Sequence, residues 1–210
     1  SFQLKLEKRY SAGLYMLFAY THSKLLTSAT GTPQATSVSS GIISPYQWQR
    51  NKSYANDDVP NSTTLAFVYE LPIGKGKRFL NNAGPFNRLL TGWEITSTMK
   101  YSSGTPFWFR TSNCGIPGQF QATCIPAVRP GQNPFLTSLG DFDPGKNQPL
   151  FNANAFEPAD SFSGVSNWGT GPRVSNFRGF PFKNADIGFG KKTQITERVH
   201  FLLRAEAFNA

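Results

Sequence analysis

Few residues in this 210-residue sequence have the types and spacing that chemistry requires. The run Gly74-Lys75-Gly76-Lys77 has the glycines and lysines of a phosphate-binding loop. It lacks the upstream glycine spacing of such a loop, and Arg78 stands where a hydroxyl residue would have to follow the lysine. A turn between strands is the simpler expectation. Asp141, Asp143 and Gly145 look like the start of a calcium loop, but no glutamate stands at the twelfth position to complete the oxygen cage. A solvated turn is expected there too. His22 and His200 are far apart in sequence, and no Gly-x-Ser-x-Gly elbow supplies a nucleophile. Neither enzymatic activity nor a cofactor is expected.

Cys114 and Cys124 are the only cysteines and lie close together in a Gly- and Pro-rich segment. A loop disulfide in an oxidising compartment is the natural reading, because two thiols with no histidine nearby cannot complete a zinc site. The sequons Asn51-Lys52-Ser53 and Asn61-Ser62-Thr63 would matter only in a eukaryotic secreted protein. Recognition is the remaining chemistry. Tyr46, Trp48, Arg50, Trp108, Arg110 and Trp168 fall in two long segments between expected strands, where they offer a ligand stacking and hydrogen bonding.

The elements that must position these residues are strands. Over 93–101 the odd positions Trp93, Ile95, Ser97, Met99 and Tyr101 alternate with Glu94, Thr96, Thr98 and Lys100. Leu65, Phe67, Tyr69 and Leu71 alternate in the same way with Thr64, Ala66, Val68 and Glu70. Period two with one greasy and one polar face is the signature of a strand between two different media. Near the end Val199, Phe201, Leu203, Ala205 and Ala207 alternate with Arg198, His200, Arg204 and Glu206, with Leu202 as the exception. Phe2, Leu4 and Leu6 start a hairpin that turns over 8–13 and returns over 14–21, and another strand is expected over 185–190. Six strands result.

Their connections alternate in length. Short ones fall at 8–13, 72–89 and 191–197, long ones at about 23–61 and 110–184. Long unstructured loops are unusual in compact soluble domains, whereas outer-membrane barrels pair short periplasmic turns with long extracellular loops. Tyr10, Tyr20, Trp93 and Tyr101 stand near strand ends, where interfacial aromatic girdles are expected. The composition agrees: 14% aromatic, 16% charged, and 19 Gly and 15 Pro scattered without period. The net charge of +9 is dispersed, with short basic runs only at Lys75, Lys77, Arg78 and at Lys191, Lys192, so nucleic acid is not expected as a partner. No apolar stretch is long enough for a transmembrane helix, although 12–20 suits a tilted transmembrane strand. Alternation alone leaves open a secreted carbohydrate-binding or adhesive β-sandwich.

Four segments carry a family resemblance. They are Lys8-Arg9-Tyr10-Ser11-Ala12-Gly13-Leu14 leading to Ala19-Tyr20-Thr21-His22-Ser23-Lys24; Phe67-Val68-Tyr69-Glu70-Leu71-Pro72-Ile73-Gly74-Lys75-Gly76-Lys77-Arg78-Phe79; Leu90-Thr91-Gly92-Trp93-Glu94 with Tyr101-Ser102-Ser103-Gly104-Thr105-Pro106-Phe107; and Thr196-Glu197-Arg198-Val199 with Arg204-Ala205-Glu206-Ala207-Phe208-Asn209. In this order they resemble the Oar-like TonB-dependent receptors.

The resemblance implies an all-β, antiparallel transmembrane β-barrel segment in the outer membrane of a Gram-negative bacterium. Residues 1–210 would form a partial C-terminal barrel domain, lacking the plug domain and one closing strand, roughly a quarter of a barrel of about 22 strands. Its implied work is to supply wall and extracellular loops for TonB-dependent uptake of a large solute such as a siderophore, oligosaccharide or peptide. Implied partners are outer-membrane lipid and lipopolysaccharide, and the TonB complex through the plug. A passive porin or an envelope structural protein is the alternative within the same membrane.

Overall fold

The computed structural model describes residues 1–28, 48–81, 84, 87–110, 124–158, 169–196 and 198–210. Six long strands form one sheet: β1 (Phe2–Ser11), β2 (Leu14–His22), β5 (Asn61–Glu70), β6 (Trp93–Ser102), β7 (Phe182–Gln194) and β8 (His200–Ala207). They pair in the order β1-β2-β5-β6-β7-β8, each antiparallel to its neighbours. Between β2 and β5 the chain makes a second, two-stranded sheet from β3 (Leu26–Thr27) and β4 (Ser53–Tyr54). A single helical turn, α1 (Asn87–Leu90), precedes β6.

Directly opposed residues share a face in an antiparallel sheet, so the register tests whether the alternating patterns agree. They do. Leu6 faces Phe18, which faces Leu65, which faces Met99. Tyr69 faces Ile95, then Phe189, then Ala205. The other face stacks Lys5, Ala19, Thr64, Lys100 and Asn184. Ser97 faces Phe67 and Ile187 on the apolar side, and its hydroxyl is satisfied by the Asp186 carbonyl at 2.9 Å.

The chain divides into two compact units, the first being Ser1–Ser23, Pro60–Ser103 and Pro181–Ala210. Among the described residues this unit contains no fully buried apolar side chain; every one that is buried (Ala55, Cys124, Ile125, Ala155, Val174) belongs to the second unit. The six-stranded sheet is therefore a wall one layer thick. Phe2, Leu6, Phe189, Phe201 and Leu203 stand about half exposed on its apolar face, an arrangement that water penalises and hydrocarbon does not. A sandwich would have covered this face with a second sheet.

Three expectations need correction. The first hairpin turns over Ala12 and Gly13 alone, both at positive φ (51° and 78°), the two-residue geometry whose twist matches the flanking strands. A register shift between Lys8 and Ser11 inserts one extra residue into β1. This bulge turns Tyr10 away from the apolar girdle, and its hydroxyl donates to Glu70 at 2.5 Å on the polar side. Strand β7 runs well beyond 185–190 at both ends. The long connections are not structureless either, since they form the second unit, Lys24–Val59 with Gly104–Phe180.

Candidate functional site

Trp48, Arg50, Trp108 and Arg110 of the expected recognition set belong to the second unit, and its architecture decides what those side chains can do. Its centre is aromatic. Phe107 meets Phe151 edge-on at 5.0 Å between ring centroids, Phe109 meets Phe151 at 5.3 Å and Phe156 at 4.7 Å, and Phe135 meets Phe177 at 5.9 Å. Such tilted and edge-on pairs are the geometry that ring quadrupoles favour. Isolated bridges at Pro106–Arg178, Val128–Phe156 and Phe135–Phe151 hold the irregular backbone around this cluster.

Three charged side chains knit the periphery. Arg173 is 1% exposed, and its guanidinium donates to the Asn51 carbonyl at 3.0 Å and the Thr27 carbonyl at 2.9 Å. Burial, followed by repulsion from Arg110, lowers its pKa from the usual arginine value. Asp58 is also 1% exposed. It accepts from the Leu25 amide and, at 2.5 Å, from Arg178, whose other terminal nitrogen donates to the Asp58 carbonyl at 2.6 Å. Arg178 and Lys24 both lie near the Tyr54 ring, at 4.8 and 5.2 Å from its centroid. Glu157 is the third. It accepts from the Thr170 hydroxyl at 2.5 Å, the Thr170 amide at 3.1 Å and the Ala127 amide at 2.9 Å.

Burial pushes the Glu157 pKa up. The Thr170 and Ala127 donors and the Arg50 charge together outweigh it and hold the carboxyl below the ordinary glutamate range. A depressed folded pKa stabilises above the unfolded value and is lost as pH falls through the folded one. Amide protection at Thr170, measured by hydrogen exchange, should therefore be flat at neutral pH and fall below about pH 4.3. Glu157→Gln should show weaker protection at neutral pH and a flattened acid limb; an unchanged limb would show that another group causes the loss.

The described members of the expected recognition set are put to different uses. Trp48 opens a 3-10 turn (Trp48–Asn51) and is 54% exposed. Trp108 is exposed to the same degree, and Arg110 packs over its ring at 4.8 Å, with burial lowering the arginine's pKa. Arg50 is turned inward, donating to the Gly169 carbonyl at 2.6 Å. Cys124 is fully buried and disulfide-bonded. Tyr46, Cys114 and Trp168 lie outside the described residues. The pairing of Asp58 with Arg178 was not legible beforehand: their separation of 120 residues carries no spacing signal.

The sites weighed for other chemistry are structural turns. Asp143 caps a short helical turn by accepting from the Gly145 amide at 2.9 Å, and Asp141 accepts from the Ser138 hydroxyl. Among the described residues no cluster of His, Cys, Asp and Glu could hold a metal ion. Lys77 folds back onto Glu70 at the end of β5 at 2.8 Å, and the Gly76 amide donates to Asn81, so these two donors are met by neighbouring protein groups. His22 is hydrogen-bonded to Asn61 at 2.9 Å, and His200 is exposed at the start of β8. Among the described residues no helix is long and apolar enough to cross a membrane, which says nothing about strands that cross.

A family model described as an outer membrane beta barrel domain matches residues 1–210. No curated protein and no solved structure matches the chain.

Proposed function

Since this chain belongs to the outer-membrane β-barrel domain family and the protein resides in the outer membrane of a Gram-negative bacterium, we propose that it forms wall and extracellular loops of a receptor for TonB-dependent uptake of a large solute. The observation that carries this reading is the pairing of a single-layer amphipathic wall with a second compact unit built from the long connections. A passive pore needs only the wall. A packed aromatic unit presenting Trp48 and Trp108 to solvent is suited to holding a solute before transport. The resemblance to Oar-like receptors supports the coupling to TonB. The chain performs no catalysis in this reading. Its long connections face the exterior and its short turns the periplasm.

Planar bilayers distinguish the alternatives. The full-length protein should be electrically silent, and uptake of siderophore, oligosaccharide or peptide should stop when a protonophore is added. Replacing Trp48 and Trp108 together with alanine should lower uptake on the order of tenfold. Steady ion conductance with protonophore-insensitive uptake would instead make this a porin, and uptake unaffected by the alanines would remove the tryptophans from recognition.

A further inference from the structure

The charge of the chain is segregated by connection. The segments 71–92 and 191–199, which hold the two longer short turns, contain Lys75, Lys77, Arg78, Arg88, Lys191, Lys192 and Arg198 against Glu197 alone. The long connections are close to balanced, with Lys24, Arg50, Lys52, Arg110, Arg129, Lys146, Arg173 and Arg178 against Asp57, Asp58, Asp141, Asp143, Glu157 and Asp160. Both basic segments lie at the same end of the sheet, because β5→β6 and β7→β8 turn there while β2 and β6 leave from the other end. They touch: Lys191 donates to the Leu89 and Thr91 carbonyls at 2.6 and 3.0 Å, and the Lys192 amide donates to Gly92.

The same turns expose apolar side chains. Phe79, Leu80, Leu89, Ile195 and Val199 are each half or more exposed. Arg78 and Arg198 are exposed among them, Arg78 lying 5.5 Å from the Phe79 ring centroid and Lys191 4.9 Å from that of Trp93, whereas Lys75 and Lys192 line the polar face with Glu70 and Glu94. Greasy residues at a polar rim gain nothing in bulk water. Interleaved with cations, they match the depth at which acyl chains meet headgroups, where each Lys or Arg also gains from anionic lipid.

We propose that this turn end is a docking rim for the anionic phospholipid of the periplasmic leaflet, with Arg78 and Arg198 on headgroup phosphates and the apolar residues among the upper acyl carbons. The proposal rests on the periplasmic orientation stated above. The test uses the full-length protein in neutral detergent, titrated with phosphatidylglycerol, phosphatidylcholine or lipid A and read by native mass spectrometry. Phosphatidylglycerol should bind more tightly than phosphatidylcholine, and R78Q/R198Q should weaken it about fivefold per cation, about twenty-five-fold together, leaving phosphatidylcholine unchanged.

Equal affinity for the two phospholipids, or an unaffected variant, overturns the rim. Preference for lipid A at these residues also overturns it, because the turn end would then face the outer leaflet; the conductance and uptake experiments are blind to that outcome and judge the receptor separately. If the variant fails to fold, the wild-type protein decides. Its phosphatidylglycerol affinity must fall as salt rises, and a salt-independent affinity rejects the proposal.

Discussion

Arg178→Met should loosen the second unit while leaving the wall intact. Asp58 is buried to 1% exposure and Arg178 is its only cationic partner among the described residues. Removing the cation leaves a desolvated carboxylate whose remaining partner is the Leu25 amide, a change that costs about 3–5 kcal/mol. Hydrogen exchange at Leu25 and Ala55, whose amide donates to the Leu25 carbonyl at 3.0 Å, should accelerate on the order of a hundredfold or more. Amides of β6 and β7 should keep their protection. Adding Asp58→Asn to Arg178→Met should recover part of the loss, since a neutral amide is cheaper to bury than an unpaired charge. If the double variant opens as readily as the single one, packing of Arg178 against Tyr54, rather than charge, holds the unit.

Gly92→Ala should impair the wall itself. Gly92 has φ of 84° and accepts from the Lys192 amide at 2.8 Å, closing the ladder between β6 and β7. A β-carbon there would sit 2.1 Å from the Lys192 carbonyl oxygen, a backbone atom with no rotamer to escape into. The left-handed backbone alone costs an alanine about 1–2 kcal/mol, and the steric conflict adds to it by forcing β6 from β7 at the rung beside Trp93 and Lys191. Gly76→Ala is the control. Its φ is 77° and nothing lies within 4 Å of the added carbon, so it carries the backbone penalty without the collision. Heat-modifiable gel mobility in a urea series should show Gly92→Ala unfolding at clearly lower urea than Gly76→Ala; equal midpoints would assign the whole effect to φ.

The wall was legible because its chemistry is periodic. Along β6 every odd side chain meets one medium and every even one another, so the sequence declares both the strand and its faces. Legibility fails where a strand leaves that two-media regime. The ends of β7 carry Lys183, Asn184, Lys191 and Lys192, polar residues on both faces, and the strand was read too short there. The bulge near Tyr10 breaks the period by adding one residue, which no alternation count detects.

The second unit was legible only as aromatic-rich connection. Phe107, Phe135, Phe151 and Phe177 converge with no period, brought together by backbone that is neither helix nor sheet. Arg50 shows the limit of reading function from side-chain type. An arginine in a long connection looks available to ligand, yet its guanidinium is committed to the Gly169 carbonyl.

The latch between Asp58 and Arg178 has a temporal consequence. The intervening chain includes β5 and β6, so these contacts are among the most non-local that the sequence makes. Closure entropy grows only logarithmically with the length closed, so the burden falls on speed rather than on final stability. During synthesis, residues 24–59 emerge long before Arg173 and Arg178 exist to hold them. Asn51, Ala55 and Asp58, buried once the unit has formed, must therefore wait uncovered until the last third of the chain arrives.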